Sequence, residues 1–289
     1  MKISAMVGTP DLKTTPIAVF AGQDLAGNLR RAAELGFDGV ELMLKDPTAL
    51  DGDEIRRLLG KNNLQLAGLC SGHVYGEDRL GLLGPDPDVG REAMRRMKAL
   101  VDFAHSFGPG TVLNVGRSRG RADESNPAFS WMRAVAAFRE LADYARPKGV
   151  RLAMEPVNHY EINYVITTQD GIRMCRDVDR PNFGLMLDTY HMNIEDVNIY
   201  DSIREAKDYC YIVHSSDNNR KWPGNAHIDF PGIIRTLQEI GFEGFLSAEI
   251  LPWPDSETAG RSTVAYLRRY IGGDKDGGLG EPSKGNTRV

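Results

Sequence analysis

The sequence is poor in the features that mark secreted, membrane-spanning and nucleic-acid-binding proteins. It has three cysteines, Cys70, Cys175 and Cys210, an odd and widely spaced set that fits reduced thiols better than a disulfide framework. No apolar run approaches the ~20 residues of a membrane-spanning helix, and the N-terminal segment has no clean apolar stretch of the secretory type. The 35 basic and 40 acidic residues give a net charge of −5, which offers no attraction to phosphate backbones or anionic lipid. We therefore expect a cytoplasmic protein that binds neither nucleic acid nor membrane.

The sequence also lacks the glycine-rich motifs of nucleotide-binding folds. Neither GxGxxG nor GxxxxGK[ST] occurs, and the first apolar run leads into MVGTPDLKTTP. Short apolar runs instead alternate with longer amphipathic segments, in eight units. Such an alternation forms either an open doubly wound sheet or a closed barrel, and the missing motifs favour the barrel. We predict an α/β fold, a single-domain (β/α)8 TIM barrel over residues 1–271.

The C-terminal residues differ in composition from the rest of the chain. Residues 272–289, GGDKDGGLGEPSKGNTRV, are polar and rich in glycine, so they cannot bury enough apolar surface to offset the entropy lost on ordering. We predict a flexible, disordered tail there.

Four side chains of metal-binding types stand at the ends of four successive apolar runs. Glu155 ends RLAME, Asp188 ends FGLMLD, His214 ends YCYIVH and Glu249 follows FLSA. The runs are roughly 30 residues apart, the length of one strand, one helix and two loops, so the four side chains are expected at the same rim of the barrel. Each one alone has an ordinary structural explanation. Charges at the ends of apolar strands are costly unless they are paired or metal-bound, so the four together predict a divalent-metal site.

Three carboxylates and one imidazole form a mostly hard ligand set. Such a set suits one Mn²⁺, Mg²⁺ or Co²⁺ ion, with Mn²⁺ as the first expectation, and it does not suit structural zinc. A dication held in this way polarises a carbonyl and stabilises an adjacent oxyanion, so the pattern indicates a metal-dependent enzyme.

Four longer stretches resemble a known family: MEPVNHYE (154–161), LMLDTYHMNIED (185–196), HSSDNNRKWPG (214–224) and SAEI (247–250). On these stretches the chain resembles the ketose 3-epimerases, the group of the D-tagatose and D-psicose 3-epimerases within the xylose-isomerase-like TIM barrels. The resemblance covers nearly the whole predicted barrel. The four metal-type residues alone indicate only the wider superfamily.

The resemblance implies an activity and a set of site residues. It implies inversion at C3 of a ketose, with a free ketohexose or ketopentose preferred, and a metal held by the four residues above. Two of these, Glu155 and Glu249, are also implied to transfer protons, and the implied substrate contacts are Glu161, His191 and Arg220. A homodimer or homotetramer is a further expectation from the resemblance.

The chemistry of such a reaction agrees with two of these positions. A proton next to a ketone becomes removable, through a cis-enediolate, when a cation draws charge from the carbonyl and the neighbouring hydroxyl. Inversion requires removal from one face and return to the other, so two acid/base groups on opposite sides are needed. Glu155 and Glu249, from strands three steps apart, suit this task.

The first half of the chain does not visibly match a tagatose- or psicose-type pocket. Glu41, His73 and Trp222 are candidates for shaping the far end of the sugar, although each also has an ordinary structural explanation. Three arginines follow the fourth apolar run: Arg117, Arg119 and Arg121. If they converged, they would form a phosphate site, so a ketose phosphate stays an alternative substrate.

Other activities use the same barrel and stay open as alternatives. An aldose–ketose isomerase of the hydroxypyruvate isomerase type would move the proton between C1 and C2, and an inosose-dehydratase-like lyase would eliminate water. A DNA-repair endonuclease of the endonuclease IV type shares the spacing of Asp188 and His191. It needs additional zinc ligands that NVGRS and AHIDF do not supply, and the net acidic charge also argues against it. A non-catalytic sugar-binding barrel would not need two spare carboxylates.

Overall fold

Eight parallel strands close into a barrel in the computed structural model, which describes residues 1–272. Each strand pairs with the next along the chain, and the first pairs with the last through Ser4 and Ser247. The strands are β1 (Lys2–Gly8), β2 (Gly39–Met43), β3 (Gln65–Cys70), β4 (Val112–Asn114), β5 (Arg151–Met154), β6 (Phe183–Asp188), β7 (Cys210–His214) and β8 (Phe245–Ala248). The predicted TIM barrel is confirmed.

Ten α-helices connect the strands and surround the barrel over the described residues. They are α1 (Leu25–Glu34), α2 (Gly52–Lys61), α3 (Gly72–Gly76), α4 (Pro87–His105), α5 (Pro127–Ala145), α6 (Thr168–Val178), α7 (Thr189–Glu195), α8 (Ile199–Glu205), α9 (Phe230–Glu239) and α10 (Ser256–Ile271). The predicted tail, residues 272–289, lies outside the described residues except for Gly272. Within residues 1–272 no helix is both long and apolar enough to cross a bilayer.

Local sequence signals explain where the helices begin. Many start directly after an aspartate or asparagine whose carboxylate or amide oxygen accepts a hydrogen bond from a free N–H of the first turn, and this capping stabilises a helix by about 1 kcal/mol. Asp51, for example, accepts from the backbone of Asp53 and Glu54 at the start of α2. Gly36, with a φ of +88°, follows the end of α1 and lets the chain turn back toward β2.

Two apolar layers position the rim of the barrel. The main core lies between the strands and the helices, and alternate residues of the strands point inside the barrel instead. The interior contains one cluster with Met6, Met43 and Cys70 and another with Val112, Ala153, Met186 and Ile212. Because residues that alternate along a strand share a face, the last inward side chains of β5 to β8 emerge together at the C-terminal rim.

Cys70, Cys175 and Cys210 are free thiols, as predicted. Burial raises the pKa of both Cys175 and Cys210 to about 12, so these thiols stay protonated and unreactive near neutral pH.

Candidate metal centre

The four predicted metal-type residues come together at the C-terminal rim. Asp188 and His214 are the last residues of β6 and β7 and are paired in the strand register, while Glu155 and Glu249 directly follow β5 and β8. All four are buried, and one potential ligand atom from each lies within 4.8 Å of the others. Four adjacent strands therefore present four converging side chains, as their spacing predicted.

The two nitrogens of the His214 ring lie in different surroundings. Its Nδ1 lies 3.3 Å from Glu249 Oε2, 3.4 Å from Glu155 Oε1 and 3.7 Å from Asp188 Oδ2. Its Nε2 lies 3.0 Å from Glu41 Oε2. Burial would lower the pKa of His214, but the charges of Glu41 and Glu249 and the nearby carboxylates of Asp188 and Glu155 raise it well above its ordinary value. The imidazole is thus enclosed by negative charge.

Two carboxylates of the group, Glu155 and Asp188, are ionised although they are buried. Burial alone would raise the pKa of Glu155, but the nearby imidazoles of His214 and His191 lower it to about 2. Burial acts in the same direction on the pKa of Asp188, and Arg220, His191 and His214 lower that pKa well below its ordinary value. Ionised carboxylates are the form that binds a metal or accepts a proton.

Arg220 reaches into the group from the loop after β7. Its Nη1 lies 2.5 Å from Asp188 Oδ2, its Nη2 contacts Glu249 Oε2, and the guanidinium lies over the Tyr190 ring at 4.7 Å. Arg220 has a φ of +60°, an unusual backbone conformation for a residue other than glycine, and its carbonyl accepts a hydrogen bond of 2.7 Å from the Leu251 amide. The fold therefore holds this arginine in a defined position.

The Arg220 loop is organised around a buried carboxylate. Asp217 accepts hydrogen bonds from the backbone amides of Gly224, Ala226 and Ile228, at 2.9 to 3.1 Å. Together with a fourth bond from the Asn218 amide, these N–H bonds satisfy a buried carboxylate and fix the loop that carries Arg220.

His191 is oriented by Asn158. The Asn158 backbone amide donates to His191 Nδ1 at 3.4 Å, and the Asn158 side-chain nitrogen lies 2.7 Å from the same atom. Because Nδ1 accepts, the proton of a neutral ring is on Nε2, which lies 3.9 Å from Glu155 Oε1 and 3.8 Å from Asp188 Oδ2. Asn158 was not among the residues predicted from the sequence, although its position within MEPVNHYE was a signal.

A cavity of about 230 Å³ opens beside the group. Glu155, Glu249, His191 and Arg220 line it on one side, so four of the predicted residues border a common space. Glu161 also lines it, and its Oε2 lies 3.7 Å from Arg117 Nη1.

The rest of the lining comes mainly from the first half of the chain. It includes Ile17, Met43, His73, Asn114 and Arg117. Of these, only His73 was singled out as a candidate for the far end of a substrate.

The other residues considered for that end lie elsewhere. Glu41 is fully buried inside the barrel behind His214, and Trp222 packs against Trp253 with the ring centroids 5.9 Å apart. Neither is among the residues that line the cavity.

The three arginines after β4 do not converge on one point. Arg119 is buried and donates to the backbone carbonyls of Gly116 and Glu155, whereas Arg121 is exposed and donates to the carbonyl of Glu161. Arg117 alone lines the cavity. The arrangement does not form the phosphate cluster considered from the sequence.

The residues present fit a single dication. Glu155 Oε1 and His214 Nδ1 are buried 3.4 Å apart, and neither has a hydrogen-bond partner. Such atoms cost free energy unless an ion or other partner satisfies them. Three carboxylate oxygens and one imidazole nitrogen are the ligand types that Mn²⁺ and similar ions accept.

Residues 29–270 match the family of xylose isomerase-like TIM barrels. The chain belongs to this family. An L-ribulose 3-epimerase from a Methylomonas species is 32% identical over 240 residues, which cover 80% of this chain and 81% of that protein. A D-psicose 3-epimerase from Enterocloster bolteae is 36% identical over 233 residues, 74% of this chain and 72% of that protein.

A solved structure agrees with these matches. The crystal structure of a D-allulose 3-epimerase from a Methylomonas species, in complex with D-allulose, superposes with a TM-score of 0.75 at 26% identity. The match covers 93% of this chain and 98% of the other. The resemblance to ketose 3-epimerases is confirmed, and this member of the family is an enzyme.

Proposed function

We propose that this enzyme inverts C3 of a free ketohexose or ketopentose with the help of one divalent metal ion. The placement of Glu155 and Glu249 carries the proposal. Both carboxylates border the same cavity, and both converge on Asp188 and His214 within 4.8 Å. Inversion requires two acid/base groups at one substrate, whereas an isomerisation on one face of the sugar requires only one. The names of the relatives, L-ribulose 3-epimerase and D-psicose 3-epimerase, support the same activity.

Glu155, Asp188, His214 and Glu249 would hold the ion, with Mn²⁺ as the first expectation and Mg²⁺ or Co²⁺ as alternatives. The chemistry that such an ion supplies is Lewis acidity, which makes a proton next to a carbonyl easier to remove.

Glu155 and Glu249 would exchange the C3 proton. One carboxylate accepts it from one face of the sugar, and the other, in its protonated form, returns a proton to the opposite face. The reverse reaction exchanges their roles. Their positions after β5 and β8, with β6 and β7 between them, allow a substrate to lie between the two.

Three further residues would orient the sugar and compensate its charge. Arg220 brings a fixed positive charge beside Asp188 and Glu249, where negative charge develops on the substrate oxygens. His191 directs its Nε2–H toward the carboxylates of the group, so it can donate to a substrate oxygen placed there. Glu161 faces the cavity and can accept from a hydroxyl.

The assembly and location complete the proposal. The size of the cavity fits one small sugar. We expect neither nucleic acid nor membrane as a partner. A homodimer or homotetramer and a cytoplasmic location are the forms in which we expect the enzyme to work.

Incubation with ketoses in D₂O tests the proposal. The Mn²⁺-loaded protein is given free and phosphorylated ketoses, and NMR locates the deuterium. We expect label at C3 together with the inverted epimer, and no turnover after the metal is removed by a chelator. Label at C1 without inversion would identify an isomerase, and a product lighter by one water would identify a lyase.

A further inference from the structure

Glu41 carries a fully buried carboxylate that does not border the cavity, so it has no direct access to a substrate. It lies in β2 and does not line the cavity, yet its Oε2 is 3.0 Å from His214 Nε2 in β7. These two strands are not neighbours in the closed sheet, so the contact crosses the interior of the barrel. Gly68 in β3 lies beside the crossing, where an added Cβ would be 3.8 Å from Glu41 Cγ.

The Glu41 carboxylate has no contact with solvent, and His214 is its hydrogen-bond partner among the described residues. Within residues 1–272 its only hydrogen bond is to His214, and Oε1 has no partner. An ionised carboxylate in such a place costs several kcal/mol unless it is paired. A residue that served only to pack the barrel would not need a carboxyl group at this position.

The geometry excludes two other roles for Glu41. It is not a fifth member of the metal-type group, because the imidazole ring lies between its carboxylate and the three carboxylates that face Nδ1. It is not an acid or base for the substrate either, since the side chain has no exposed surface.

We propose that Glu41 is a positioning residue that accepts the Nε2–H of His214 and so presents a bare Nδ1 to the metal. A neutral imidazole carries one proton, and holding it on Nε2 leaves the lone pair on Nδ1. The hydrogen bond also fixes the ring plane and makes Nδ1 a stronger donor, as carboxylates behind histidine ligands do elsewhere. The inference rests on the proposed metal role of His214.

The test is the affinity of the folded protein for Mn²⁺, measured by calorimetry or by competition with a chelator. Glu41→Gln keeps the shape and an acceptor oxygen but removes the charge, and Glu41→Met removes both. We expect binding weakened about tenfold by Glu41→Gln and up to about 100-fold by Glu41→Met. In the Co²⁺-loaded proteins the visible absorption bands should shift in the same order. If Glu41→Met does not fold, the Glu41→Gln measurement decides alone.

A matched control uses a second carboxylate–histidine pair. Glu195 Oε1 lies 2.5 Å from His159 Nδ1, and this pair contacts none of the four residues of the metal centre. Glu195→Gln should bind Mn²⁺ within about twofold of the wild type. Circular dichroism before each titration confirms that the protein is folded, so a purely structural role of Glu41 would lower the melting temperature and leave the affinity unchanged.

The outcomes separate this inference from the proposed function. Wild-type protein that binds no dication overturns both. Wild-type protein that binds Mn²⁺, with Glu41→Gln binding it equally well, overturns only the positioning role. Equal weakening in Glu195→Gln also overturns it, because the effect would then not be specific to His214.

Discussion

Arg220 and His214 share one oxygen of Asp188. Asp188 Oδ2 lies 2.5 Å from Arg220 Nη1 and 3.7 Å from His214 Nδ1, so a guanidinium touches the atom that also faces the imidazole. Arg220 supplies positive charge to the group in the same place where a dication would supply it. Its role in the folded protein therefore depends on whether the metal is present.

Replacing Arg220 should make stability depend more strongly on metal. Arg220→Met leaves the buried carboxylates of Asp188 and Glu249 without this partner, which costs about 3 kcal/mol or more in the metal-free protein. Mn²⁺ restores positive charge, so the loss should shrink when it is bound. Thermal unfolding with and without Mn²⁺ measures both values. Arg121→Met, at an exposed arginine, is the control, and an equal loss in the two conditions would contradict the expectation.

Separate removal of the two carboxylates should separate the two half-reactions. Glu155→Gln and Glu249→Gln should each slow epimerisation by about 10²-fold or more, the size of a general acid–base contribution. Each variant keeps the carboxylate on one face, so each should still exchange deuterium into C3 of one epimer, and the two variants should prefer opposite epimers. NMR of each pure epimer in D₂O measures this, with metal content determined in parallel. Exchange of both epimers at equal rates in either variant would indicate a single base.

His73 should matter only for ketoses long enough to reach it. The buried ring lines the cavity, and its Nδ1 has no hydrogen-bond partner. Burial and the charge of Arg117 lower the pKa of His73, so the ring is neutral and can accept from a hydroxyl. His73→Phe should reduce kcat/KM about threefold to tenfold for a ketohexose, the value of one hydrogen bond, and leave a ketotetrose unaffected.

The control for His73 is a histidine remote from the cavity. His105 is exposed at the end of α4, with Nδ1 2.8 Å from the Lys148 carbonyl, and His105→Phe should change neither substrate. A similar loss for both chain lengths in His73→Phe would mean that the ring acts on packing and not on the sugar.

Glu77 should stabilise the protein against acid. Its side chain is 10% exposed and lies 2.9 Å from Lys45 Nζ. Burial would raise its pKa, but hydrogen bonds from Lys45 and from the amides of Thr14 and Lys13 lower it from 4.5 to about 2. Because the folded pKa is below the unfolded one, this stability is complete above pH 4.5 and is lost as the pH falls toward 2.

Glu77→Gln should accordingly flatten the acid side of the stability curve. The variant should be less stable than the wild type at pH 6 and similar to it near pH 2, as measured by urea unfolding at a series of pH values. Glu92→Gln removes a carboxylate paired with Arg95 on the surface and should have little effect, since solvent screens exposed pairs. A curve for Glu77→Gln parallel to that of the wild type would contradict the expectation.

The sequence predicted the metal centre because the centre follows from strand periodicity. Glu155, Asp188, His214 and Glu249 stand at or directly after the ends of successive strands, and parallel strands in a barrel share one rim. The positions of these residues in the chain were enough to predict that they lie close together, without any knowledge of loop structure. The fold class followed from the same alternation.

Contacts that depend on barrel closure or on loop conformation could not be predicted from strand periodicity. Glu41 and His214 are 173 residues apart and meet only because the barrel is closed. Arg117 and Arg119 are two residues apart, but a short helical turn directs one into the cavity and the other toward buried carbonyls. Periodicity does not describe such a turn, which is why the arginines looked like a cluster.

The division of the site between the two halves of the chain has an evolutionary consequence. The proposed proton-transferring and metal-binding residues stand at or directly after the ends of β5 to β8, whereas the lining residues Met43, His73 and Arg117 stand at or after the ends of β2, β3 and β4. Sugar preference can drift through changes in the N-terminal half while the reaction chemistry is inherited unchanged from the C-terminal half. Chimaeras that join residues 1–120 of one relative to the remainder of another should exchange substrate range without losing the shared reaction.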